Sequence, residues 1–99
     1  MDKKIKLLRA MGDETRIKIL QYLLNGEKCV CTIVPFIGKA QPTVSQHLKI
    51  LVEAGILEVK RDGIKMVYRI KDDKAVQIMD ILKIHRMEID NELDEKMAK

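Results

Sequence analysis

Apolar residues recur along this chain in short groups whose spacing is helical at first, then alternating, then helical again. Ile5, Leu7, Leu8 and Met11 predict a short first helix closed by Gly12. Asp13 stands where an N-cap belongs. Ile17, Leu20, Leu23 and Leu24 follow at helical spacing as far as Asn25-Gly26, so a second helix is predicted over roughly 14–24. Val30, Ile33, Val34 and Ile37 predict a third, short helix ending at Gly38, with Pro35 acceptable only near its first turn.

Gln41-Pro42 restarts helical structure, because the fixed dihedral of proline suits the first turn. Val44, Leu48, Leu51 and Val52 then repeat at helical spacing up to Gly55. Ile56, Leu57 and Val59 lead to Asp62-Gly63, a two-residue hairpin signal, beyond which Ile64, Met66, Tyr68 and Ile70 alternate with Lys65, Val67 and Arg69. Two short helices joined through Gly38-Lys39-Ala40-Gln41, with a two-stranded hairpin straight after the second, make a helix-turn-helix with a wing. From Asp72 to about Met97 the chain has no Gly or Pro and reads as one long helix. Val76, Ile78, Met79, Ile81, Leu82, Ile84, Met87, Ile89 and Leu93 cover more than one face of it. A small domain cannot bury all of that surface, so a symmetry-related copy is expected against it. The predicted fold is mainly α with a small β-hairpin wing. It is a single winged helix-turn-helix domain over 1–99 that dimerises through its terminal helices, the C-terminal dimerisation helix covering about 72–97.

Composition supports this picture. A chain of 99 residues is one domain. Its hydrophobic fraction is 46%, yet Tyr22, Phe36 and Tyr68 are its only aromatic residues, so the core is aliphatic and favours helices over a sandwich or barrel. The net charge of +4 is unevenly spread: residues 1–71 carry 14 Lys or Arg against 7 Asp or Glu, and residues 72–99 carry 5 against 8. The basic part is where a polyanion would dock. The chain shows neither a membrane-spanning run nor the apolar stretch of a signal peptide, so a cytoplasmic protein is expected, with no membrane partner. Cys29 and Cys31 are then expected to be reduced, and to act as ligands or redox groups rather than as a structural bridge. An enzyme is not expected. The cysteines flank a single residue rather than two, no nucleophile stands with a base, and no Gly-rich phosphate loop occurs.

Double-stranded DNA is the partner that the fourth helix suits. Gln41, Thr43, Ser45, Gln46 and His47 lie around its start and Lys49 further along, and such short, amide and basic side chains fit base edges and phosphates in a major groove. Gln46 matches adenine bidentately, and Thr43 and Ser45 suit phosphate at a positive helix N-terminus. Lys60, Arg61 and Lys65 surround the wing turn, within reach of a backbone or minor groove. The competing reading is a solvated helix face and a charged hairpin tip.

Three stretches carry a family resemblance: Glu27-Lys28-Cys29-Val30-Cys31, then Ala40-Gln41-Pro42-Thr43-Val44-Ser45-Gln46-His47-Leu48-Lys49, then Leu51 and Ala54-Gly55-Ile56-Leu57. With Gly12-Asp13-Glu14-Thr15-Arg16-Ile17 upstream, the chain resembles the ArsR/SmtB family of metal-sensing repressors over about residues 7–70. The resemblance implies a homodimer that represses by occupying operator DNA, needs no cofactor, and leaves when an inducer ion of the arsenite, cadmium, lead or zinc class binds. Cys29 and Cys31 are similar to the family's cysteine pair before the recognition helix, where thiolates would suit soft ions. The third cysteine usual in arsenic sensors is Val34 here, and the acidic residue that commonly follows the pair is Thr32, so a further ligand has to come from the other subunit or solvent. A second implied metal set is Asp72, His85 and Glu88 on the last helix, with Lys74 in place of the family's first histidine. On one helix Asp72 and His85 would stand about 20 Å apart, so only an antiparallel pair across a dimer axis unites them, while His85 and Glu88 would share a face. Oxidation or reactive sulfur at the cysteine pair is the alternative switch.

Overall fold

Five helices and one three-stranded sheet account for residues 2–87, the part of the chain that this computed structural model describes. In chain order they are α1 (Asp2–Met11), α2 (Glu14–Leu23), β1 (Lys28–Cys29), α3 (Val30–Ile37), α4 (Gln41–Glu53), β2 (Leu57–Asp62), β3 (Lys65–Ile70) and α5 (Asp73–Ile81). Asp13 caps α2 as expected, its Oδ2 accepting the Arg16 N–H at 3.0 Å. The apolar positions of α4 define the core: Val44, Leu48 and Leu51 are fully buried among Ile19, Leu20 and Leu23 of α2, Ile33 of α3 and Ile56 beyond the helix. Leu7 and Met11 of α1 and Ala75 and Met79 of α5 join the same cluster. Tyr22 and Phe36 stack with ring centroids 4.0 Å apart, which ties α2 to α3.

Local details depart from the sequence reading. The wing has a third strand: β1 pairs antiparallel with β3, Lys28 opposite Tyr68 and Cys29 opposite Val67, giving the order β1-β3-β2. Two residues are too few to show an alternation. The hairpin connection is Gly63-Ile64 rather than Asp62-Gly63, because Asp62 pairs with Lys65 across the strands. Gly63 takes a φ of 64°, the positive value that the first residue of a type II′ connection needs. Pro35 lies inside α3, past its first turn. In so short a helix it removes one bond to the Cys31 carbonyl and leaves the rest of the turn intact.

The largest correction concerns the last helix, expected over 72–97. It stops at Ile81, and the predicted stretch 88–97, with Ile89 and Leu93, lies outside the described residues. The stop is made by tertiary contacts. Lys83 takes a left-handed φ of 58° and its N–H donates to the Asp80 carbonyl, while the Ile84 N–H reaches back to the Met79 carbonyl at 2.8 Å. The same pair of bonds closes α4 at Gly55 and Ile56. The reversal lets Ile84 pack on the core, and the chain then follows α2, with Gln21 Nε2 donating to the His85 carbonyl and Asn25 Nδ2 to the Met87 carbonyl.

Leu48 sits at the centre of this packing, so Leu48→Ala is expected to lower stability by about 3 kcal/mol through lost burial and an unfilled cavity. Urea unfolding checks it, and a loss under about 1 kcal/mol would show that α4 is not held by this seam.

Candidate nucleic-acid interface and cysteine pair

Burial of Val44, Leu48 and Leu51 turns the opposite side of α4 outward, where Gln41, Thr43, Ser45, Gln46 and Lys49 are all exposed. Ala40 occupies the N-cap and makes no side-chain capping bond, and Pro42 in the first turn has no N–H, so the start of α4 is closed by no side chain. In the wing, Lys60, Arg61 and Lys65 are exposed as expected, and Lys60 Nζ stands 3.4 Å from Glu27 Oε2. Ile64 occupies the tip with 98% of its surface exposed. Arg69 and Glu58 pair across β2 and β3, which steadies the hairpin at its base.

His47 is placed differently from its neighbours. Its side chain is only 19% exposed and faces the corner between α1 and α2. Arg16 Nη1 lies 3.2 Å from His47 Nδ1, and Asp13 Oδ2 lies 3.8 Å from the same nitrogen. A guanidinium can only donate, so Nδ1 accepts and the ring proton sits on Nε2. Arg16 also donates through Nε to the Ala10 carbonyl at 2.6 Å and through Nη2 to the Arg9 carbonyl at 3.3 Å. In the sequence Arg16 stands out only as part of the stretch 12–17 that resembles the family. Its signal was its position three residues after the Asp13 cap, where an arginine can reach back over the end of the preceding helix. The carboxyl of Asp13 is held below its ordinary value, chiefly by the Arg16 backbone N–H.

Cys29 and Cys31 meet where the wing joins α3. Cys29 ends β1 and caps α3, and its Sγ accepts the Cys31 N–H at 3.0 Å. Contrary to the expectation of free thiols, a disulfide joins the pair. The strand-to-helix turn brings the two Cα atoms to 5.0 Å, a separation that a disulfide spans. Thr32 Oγ1 donates to the Cys29 carbonyl and closes the same turn. The second implied metal set is described only in part, and its union across a dimer axis lies beyond one subunit. Asp72 caps α5 by accepting the Lys74 N–H at 2.9 Å, His85 lies beyond the helix end, and Glu88 is outside the described residues. Among the described residues no group of three His, Cys, Asp or Glu side chains converges as a metal site.

Residues 13–59 match the family model described as bacterial regulatory protein, arsR family. An HTH-type transcriptional regulator of Methanocaldococcus jannaschii is 40% identical over 82% of this chain and 92% of its own length. A homologue in Staphylococcus aureus of the cadmium resistance transcriptional regulatory protein CadC is 33% identical over 85% of this chain and 70% of its own length. Among solved structures, the homodimeric winged helix-turn-helix DNA-binding domain Mb0332 from Mycobacterium bovis superimposes with a TM-score of 0.76 at 26% identity. It covers 84% of this chain and 77% of its own.

Replacing Asp13 with alanine removes the α2 cap and is expected to cost about 1 kcal/mol. Because the folded-state pKa of Asp13 is lowered, its contribution is full above the ordinary carboxylate value of 3.8 and is lost as pH falls through the lower folded value. Thermal unfolding of wild type and Asp13→Ala across that acid range should show the two curves approaching each other, and a gap that widened toward acid would contradict the cap.

Proposed function

The chain belongs to the arsR family of bacterial regulatory proteins, and from that premise we propose that it is a transcriptional repressor that reads operator DNA through α4 and the wing and responds to a soft metal or metalloid ion at Cys29 and Cys31. It is a DNA-binding regulator and not an enzyme, and the proposed location is the cytoplasm, where that DNA is. The observation that carries the reading is the two-sidedness of α4. Its apolar seam is fully buried, and Gln41, Thr43, Ser45, Gln46 and Lys49 are presented together on the outside. Gln46 reads adenine, Thr43 and Ser45 meet phosphate beside the uncapped helix start, and Arg61, Lys60 and Lys65 follow the backbone one step along.

A second copy completes the molecule, as in the homodimeric Mb0332 domain. Ile5 and Leu8 of α1, Val76 and Ile81 of α5, and Leu82 just beyond it are exposed large hydrophobics that such a copy would cover. Two symmetric α4 helices would then address two successive major grooves.

Two sulfurs with no third convergent donor among the described residues do not make the four-ligand set that zinc prefers. They suit a soft ion once reduced to thiols, with any further donor supplied by the partner subunit or by solvent. Cys29 and Cys31 would hold that ion at the junction of β1, paired to the wing, and α3, which leads through Gly38-Lys39-Ala40 into α4. Binding there shifts the reading head only by favouring a different wing-to-α3 geometry, which is a coupling free energy between the two sites. The disulfide favours a second reading, in which oxidation itself is the switch: as the S–S bond forms and the peroxide O–O bond breaks, the peroxide takes two electrons and two protons from the thiols and leaves as two waters, or as an alcohol and a water.

The test is the affinity of reduced protein for a duplex taken from upstream of its own coding sequence, read with cadmium, lead, zinc, arsenite and peroxide, in wild type and in Cys29→Ser/Cys31→Ser. Release of wild type by a soft ion, and not of the variant, is expected. Release by peroxide alone would favour the redox reading, and identical behaviour of the two proteins would remove the cysteines from the switch. Gln46→Ala with Arg61→Ala is expected to weaken binding by about 100-fold, from about 1–3 kcal/mol for a lost base pairing plus a lost phosphate contact.

A further inference from the structure

The Arg16 guanidinium lies where three elements meet. Its Nε and Nη2 hold the Ala10 and Arg9 carbonyls at the end of α1, its own backbone N–H is held by the α2 cap Asp13, and its Nη1 reaches His47 on α4. His47 is flanked in sequence by Gln46, which points outward, and Leu48, which is fully buried. A side chain at that position fixes how far α4 is rolled about its axis. A roll of about 20° would move the outer end of a side chain such as Gln46 by roughly 2 Å, given a helix radius of about 5–6 Å with side chains. A bidentate hydrogen bond to a base edge does not survive such a displacement.

We propose that Arg16 and His47 form a clamp that sets the roll of the recognition helix, so that both are positioning residues for DNA reading while neither touches DNA. The clamp also ties that roll to the end of α1, whose exposed Ile5 and Leu8 belong to the surface assigned to the second copy. The requirement is specific: Arg16 donates and His47 Nδ1 accepts. An asparagine places its Oδ1 close to where Nδ1 sits and preserves the acceptor, whereas leucine fills similar space without one. Lysine at 16 keeps the charge but lacks the fork that bridges two carbonyls and the ring at once.

The inference rests on the DNA reading above, and the experiment separates the two. Binding to the promoter-derived duplex is measured for wild type, His47→Asn, His47→Leu, Arg16→Lys and the double variant Arg16→Lys/His47→Leu, with thermal unfolding of each sample to confirm that it is folded. His47→Leu and Arg16→Lys are each expected to weaken binding about tenfold, the double variant no more than either single one, and His47→Asn to stay within about twofold of wild type, the signature of one coupled pair. Multiplying single effects, or His47→Asn as weak as His47→Leu, would overturn the clamp and return His47 to the interface. Should Arg16→Lys fail to fold, the comparison of His47→Asn with His47→Leu still decides. A wild type that ignores the duplex overturns the DNA reading and the clamp together.

Discussion

Coverage of one apolar seam on α4 organises the rest of this structure. Val44, Leu48 and Leu51 are removed from water only if α2 and α3 lie across them on one side and the start of the wing closes the end at Ile56 and Leu57. Each buried aliphatic side chain contributes about 1.5–3 kcal/mol, so the arrangement that satisfies all of them is strongly preferred over any that leaves one exposed. The polar face follows from this without separate instruction. With Val44, Leu48 and Leu51 held inward, the positions on the far side of the helix, Gln41, Thr43, Ser45, Gln46 and Lys49, face out.

The cysteine pair occupies the joint of this architecture between the wing sheet and α3. β1 belongs to the wing sheet through its pairing with β3, yet its last residue is also the cap of α3. Whatever Cys29 and Cys31 hold, or whether they are joined to each other, alters a joint between two elements that would approach the same duplex. The third strand matters here, since without it the pair would sit on a loop with no bond to the wing sheet.

A comparable economy is seen at the α1–α2 corner. At the end of α1 the Arg9 carbonyl accepts the Gly12 N–H, and Arg16 reaches that carbonyl and the Ala10 carbonyl with one side chain while a third nitrogen crosses to α4. One residue thus takes part in the α2 cap through its backbone and links the end of α1 to α4 through its side chain.

The pattern of residues by itself determined α1 to α4, the β2–β3 hairpin, the exposed polar side of α4 and the Asp13 cap of α2, because each of these is decided by side chains within a few residues of one another. Only tertiary structure decided the rest. It ended α5 at Ile81, where packing the partly buried Ile84 against the core and bonding His85 and Met87 to α2 outweighed the local preference to continue and the strain of a left-handed Lys83. It recruited Lys28–Cys29 as a strand, and it turned His47 away from its polar neighbours toward Arg16, 31 positions earlier. Local spacing carries no record of a partner that distant, since the energy of such a contact exists only once the chain has brought the two ends together.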